Sequence, residues 1–197
     1  MAVENIQKPP LWQGLEMLVG DSPRALLLLA GGIVVSIVLS WHVFETRWYR
    51  AAVPAEIGLT FGFATTGSDS RFSDLLSIAP SGACGGAIFK LTDASATAIS
   101  ERGLDFLKNA RQGRGHTDKL DRRFHYYSYL PWQTTPLPSE WTSKGPWWGL
   151  NCMGLQNIAL RNIMDAAQKT GSFYTTGESK MLLVVPSLQK AILTHTH

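Results

Sequence analysis

The segment Gly82-Ala83-Cys84-Gly85-Gly86 is the sharpest candidate for chemistry in the sequence. Glycines around a thiol permit a tight turn that exposes the sulfur, as a nucleophile elbow does for its attacking atom. A hydrolase built on Cys84 would draw its base from His116 or His125, with Asp118 or Asp121 to orient the ring. The chain has one other cysteine, Cys152, and a bond between the two would abolish the nucleophile, because the attacking species is a thiolate. Flanking glycines are also common in ordinary turns. The expectation is therefore a structural pair, Cys84 with Cys152, and no assigned catalytic residue; Cys84 with His116 or His125 is the catalytic alternative.

Metal and nucleotide chemistry find less support. His116 and His125 are nine residues apart, and His195 and His197 share a face only if a terminal strand persists to the chain end, so both tail histidines are expected to be exposed. The sequence has no H-E-x-x-H, no C-x-x-C and no glycine-rich phosphate loop, and neither a metal nor a cofactor is expected. Thr176-Gly177-Glu178 reads as a turn.

The formal net charge of +3 is matched by one segment. Residues 101–123 carry seven basic side chains (Arg102, Lys108, Arg111, Arg114, Lys119, Arg122, Arg123) against Glu101, Asp105, Asp118 and Asp121. Four interspersed acids make a poor nucleic-acid footprint, so a protein surface or lipid headgroups are the better match. Tyr126, Tyr127, Tyr129 and Trp132 follow directly, and residues 131–148 then hold four of the ten prolines and four of the seven tryptophans (Trp132, Trp141, Trp147, Trp148). Aromatic and arginine side chains are what binding hot spots concentrate. The expected partner-binding set is therefore Arg122, Arg123, Tyr126, Tyr127, Trp132, Trp141, Trp147 and Trp148, presented on an extended loop because prolines exclude helix and central strand.

The elements that must position these residues begin with an apolar run. Only 17% of the 197 residues are charged, below the roughly 25% of an average soluble domain. Ala25 to Phe44 has no Asp, Glu, Lys or Arg over twenty residues, and such a helix matches a hydrocarbon core of roughly 30 Å. Pro23 suits the first helical position, and Trp41, Trp48 and Tyr49 suit an aromatic belt. The preceding 24 residues contain Glu4, Glu16 and Asp21, unlike a cleaved signal peptide, so an uncleaved anchor in the inner (cytoplasmic) membrane is expected. Lys8 and Arg24 before the span balance Arg47 and Arg50 after it, and the cysteine pair tips the expectation towards a periplasmic or exoplasmic C-terminal domain.

Four segments follow from this: a 1–24 tail with a short amphipathic interfacial helix (Leu11, Trp12, Leu15, Leu18, Val19), the 25–44 transmembrane helix, a 45–56 juxtamembrane linker, and a 57–197 α+β domain. Within that domain Ile57, Leu59, Phe61 and Phe63 alternate with small residues and predict a strand, with a turn over residues 65–69. Ala87 to Leu91 predicts a second strand, and Thr92 or Asp93 caps a helix to about Ala110 with Ile99, Gly103, Phe106, Leu107 and Ala110 inward. A second helix is expected over roughly Leu155 to Lys169, with Leu155, Ile158, Ala159, Asn162, Ile163 and Ala166 inward. Met181 to Val185 and Ala191 to Thr194 predict two closing strands. Strands and helices lacking a regular β-α-β alternation predict an antiparallel or mixed sheet with two principal helices. In function these features predict a non-catalytic binding domain: an inhibitor or immunity-type protein, or an accessory subunit of a membrane complex. The alternative is a membrane-tethered cysteine hydrolase.

Overall fold

The computed structural model describes residues 23–62, 64–68, 84–117, 124–125, 127–155 and 157–196. By contacts the chain divides into two compact units, Met1–Val43 and Phe44–His197. The expected interfacial helix of the tail lies outside the described residues.

Helix α1 (Pro23–Ala52) opens in the first unit. There Leu27, Leu28, Val34, Ile37 and Val38 are each more than half exposed. From Arg24 onward the helix is long and apolar enough to cross a membrane, with a mean hydropathy of 2.2.

The second unit takes up the same helix from Phe44. Residues 45–56, expected as a linker, are helical through Ala52 and supply core: Thr46, Tyr49, Ala52 and Val53 are buried. These positions recur at helical spacing, so one side of the last turns faces inward.

The unit is α+β. Six strands form one sheet in the order β1 (Thr65–Ser68), β2 (Cys84–Lys90), β8 (Lys190–Thr196), β7 (Lys180–Val185), β6 (Phe173–Thr176) and β5 (Gln133–Thr134), every neighbouring pair antiparallel. A separate ladder joins β3 (His116–Thr117) to β4 (Phe124–His125). Ala87, Phe89, Leu182, Val184, Ala191 and Leu193 face one core with Tyr49, Val53, Ile99 and Leu107. The alternate residues Ile88, Leu183, Val185 and Ile192 face a second core with Trp147, Leu150, Met153 and Ile163. Cover on both faces explains why β7 and β8 read as continuous apolar runs.

Over the described residues 57–62 the expected strand is not formed, and Phe63 lies outside the described residues. Ile57 and Leu59 are buried, but the segment makes a single bridge, Leu59 to Leu91, and Gly58 N–H donates to Ser95 Oγ at 2.9 Å. Gly62, at φ +142, turns the chain, and the strand forms instead at Thr65–Ser68, where a turn was expected. Helix α2 (Asp93–Arg102) is capped by the Thr92 side chain and stops at Gly103, at φ +51; the short α3 (Leu104–Leu107) then continues. The expected inward residues Ile99, Leu107 and Ala110 are fully buried.

Residues 131–148 are not one extended loop. They contain β5, a cis Thr135-Pro136 bond and α4 (Ser139–Thr142), and lead into α5 (Trp148–Asn151). Pro138 immediately precedes α4, where a missing N–H removes no helical hydrogen bond. In α6 (Asn157–Ala167) the expected inward face holds in part: Ile163 is buried and Leu155 and Ala166 pack against the same core, but Leu160, Met164 and Ala167 join them, while Asn162 is exposed and Ile158 is 68% exposed.

Gly85 and Gly86, after Cys84, lie in a strand and not a turn, while Gly82 lies outside the described residues. Cys84 begins β2 with its side chain fully buried. Gly67 and Gly86 are register partners, as are Gly86 and Thr194. A Cβ on Gly67 would meet the Met153 carbonyl, one on Gly86 would come within 3.0 Å of Met153 Sδ, and one on Gly149 within 2.7 Å of Thr194 Cβ. A side-chain-free stripe thus lets residues 149–153 lie directly on the sheet. That approach brings Cys152 to Cys84, and the two are joined by a disulfide with Cα atoms 5.9 Å apart.

Candidate functional site

The densest grouping of polar and aromatic chemistry sits where β7 and β8 begin and end. Lys180 and His195 are register partners across that ladder. They face the last turns of α1, because residues 180, 182 and 184 share a sheet face with 191, 193 and 195. His195 is 4% exposed, correcting the expectation of an exposed tail histidine: β8 persists to Thr196 and carries the ring inward. His197 lies outside the described residues. Tyr49 Oη is 3.2 Å from His195 Nε2, and the Trp48 ring meets both neighbours edge-on, at 5.0 Å from Tyr49 and 5.9 Å from His195.

Lys180 places its ammonium 4.2 Å from the Tyr127 ring centroid and 6.0 Å from that of Trp48. A cation held over ring faces is attracted by their quadrupoles. Burial pushes its pKa below the ordinary lysine value, with the Glu178 carboxylate acting in the opposite direction. Alongside runs a cleft of about 340 Å³ lined by Trp141, Glu178, Lys180, His195 and Thr196 among others. The cleft offers an apolar ring, two charges of opposite sign and hydroxyls.

The expected partner-binding residues divide between core and surface. Trp132 is buried and donates through Nε1 to the Ala110 carbonyl at 2.7 Å. Trp147 is buried too, its Nε1 3.0 Å from Thr194 Oγ1. Each ring buries its apolar body and satisfies its N–H inside the domain, and Trp147 also lines the cleft. Trp141, at 36% exposure, stays on the surface, edge-on to Tyr174 at 5.9 Å, and lines the cleft. Tyr127 is half-buried under Lys180. Trp148 lies in α5, while Arg122, Arg123 and Tyr126 lie outside the described residues.

Two arginines of the basic segment act as internal clamps. Arg114 donates to the carbonyls of Val53 and Ile57, each at 2.8 Å, and Arg111 to that of Tyr129 at 3.2 Å. The catalytic alternative is not assembled around a thiol: the Cys84 sulfur is bonded to Cys152. His116 and His125 are register partners in the β3–β4 ladder, and Asp118 and Asp121 lie outside the described residues. Sequence reasoning passed over Lys180, took His195 as an exposed tail histidine and Glu178 as part of a turn, and took Trp48 and Tyr49 only as membrane-interface rings. The signal for Tyr49 was the helical spacing of Thr46, Tyr49 and Val53.

A tyrosine beneath this site sets an alkaline limit. Tyr129 donates its hydroxyl to the Ala52 carbonyl at 2.8 Å, and burial, reinforced by Tyr127, raises its pKa above the ordinary value. Below about pH 10 both folded and unfolded chains hold that proton; above it the unfolded chain releases the proton first, so stability falls as pH rises. Urea midpoints in detergent are expected to decline above about pH 10, with tyrosinate absorbance appearing together with unfolding. Tyrosinate absorbance that rises fully before unfolding would contradict the buried Tyr129.

No family model matches the chain, and no curated protein and no solved structure matches it.

Proposed function

We propose that the chain is a single-pass, membrane-anchored, non-catalytic binding domain of the cell envelope. In this reading α1 is an uncleaved signal anchor in the inner membrane, and residues 44–197 face the periplasmic or exoplasmic side. The observation that carries it is the Cys84–Cys152 disulfide in the unit that follows an apolar helix of spanning length. Disulfides persist in oxidising compartments and are rare in the cytosol. The same bond leaves the hydrolase alternative without the thiolate it requires. The partner is another protein, engaged as an inhibitor or immunity-type protein or as an accessory subunit of a membrane complex, and the cleft beside Trp141 is the surface offered to it.

The test uses full-length tagged protein captured from its own membranes. A photo-reactive side chain at position 141 is expected to cross-link one protein partner. Trp141→Ala is expected to lower capture by about 30-fold, the effect of a 2 kcal/mol hot spot, while the melting temperature barely moves. Undiminished capture by the variant would remove the cleft from the interface. Protection of the C-terminal domain from protease added outside the inner membrane would reverse the orientation.

A further inference from the structure

Lys180, the first residue of β7, carries a half-buried ammonium whose neighbours do not balance its charge. Its Nζ lies over the rings of Tyr127 and Trp48, and among the described residues no carboxylate pairs with it and no oxygen accepts from it. Partial burial takes water from the charge, and ring faces return only part of what hydration supplied. The lowered pKa has the same physical origin. Lys180, both rings and the cleft beside them belong to one compact unit, Phe44–His197.

Lys180 lines that cleft together with Trp141 and Glu178. Glu178 is exposed, and its carboxylate favours the Lys180 charge through space without closing an ion pair. A carboxylate brought by a partner would meet an ammonium already stripped of part of its water, where a charge pair is screened less than on an open surface. One negative charge suits the place. Among the described lining residues are one lysine and no arginine fork, and a phosphate with nearly two charges would turn the surplus towards Glu178.

We infer that Lys180 anchors an acidic side chain, Asp or Glu, of the protein that enters this cleft. The inference rests on the protein-binding reading above, and the experiment separates the two. Full-length protein in its own membranes is treated with a water-soluble carbodiimide, which joins an amine to a carboxylate in contact with it, in parallel with photo-cross-linking from position 141. Mass spectrometry is expected to find an amide bond from Lys180 to an aspartate or glutamate of the same protein that position 141 captures. Lys180→Met, which keeps an apolar stem beside the rings, is expected to lower that capture at least about ten-fold, the effect of a hydrogen bond to a charged group. Glu178→Gln changes only an exposed side chain and removes a competing carboxylate, so it is expected to raise capture about two-fold. Capture from position 141 that neither variant changes overturns the role of Lys180 and leaves the binding domain standing. A carbodiimide bond from Lys180 to its own Glu178, to a chain terminus or to a second copy of this chain, in place of one to the partner's acidic side chain, also overturns it. No capture from position 141 overturns the protein-binding surface itself and this inference with it.

Discussion

Trp132→Ala is expected to remove about 3–5 kcal/mol of stability, a large part of the roughly 5–15 kcal/mol that holds a typical domain together. The ring is 6% exposed and packs in the core formed by Leu107, Ala110 and Tyr129. Two losses combine. A cavity replaces the indole, and the Ala110 carbonyl loses the donor that now sits 2.7 Å away. Trp132→Phe separates them, because it keeps most of the volume and omits the donor; its cost should be nearer 1–2 kcal/mol. In thermal melts the alanine variant should fall by roughly 6–20 °C, using about 2–4 °C per kcal/mol for a protein of this size. A shift below about 2 °C would mean that Trp132 is not the core residue described here.

Replacing both cysteines, as Cys84→Ala with Cys152→Ala, is expected to cost about 4 kcal/mol. The bond closes a loop with a sequence separation of 68, and in the chain-entropy account long loops gain the most from closure. Residues 149–153 should loosen first, since the disulfide fastens them to the sheet at Cys84. Urea denaturation of the wild type with and without dithiothreitol should show the same drop in midpoint. The double-alanine variant should be insensitive to the reductant. An unchanged wild-type midpoint after complete reduction would show that the glycine stripe alone holds the segment in place. The comparison bears on location as well: a domain that loses this much on reduction is suited to an oxidising compartment.

Legibility followed the range of the signal. The apolar run, β2, β7 and β8 were readable because hydropathy and strand period are properties of neighbouring residues. The 57–63 alternation was a true burial pattern for Ile57 and Leu59, but it misassigned the backbone. Ile57 N–H donates to the Pro54 carbonyl, Gly58 N–H to Ser95 Oγ and Thr60 N–H to the Lys90 carbonyl, so the segment makes scattered bonds and one bridge in place of a ladder. Part of the α6 face was misread for a related reason: Ile158 and Leu160 are equally apolar, and only what lies opposite decides which is covered. Among the tryptophans, Trp141 stays on the surface while Trp132 and Trp147 are buried, a division that residue type does not reveal.

By itself the sequence determined that the chain carries a charge-free span of bilayer length followed by an α+β domain, because both follow from local composition and periodicity. Tertiary structure decided the fate of the reactive and aromatic groups. Cys84 is bonded because Gly67, Gly86 and Gly149 admit a backbone segment onto the sheet. His195 is buried because Tyr49, 146 positions earlier, closes over it. Such outcomes depend on contacts between residues far apart in the chain, and no local pattern encodes which distant surface will arrive.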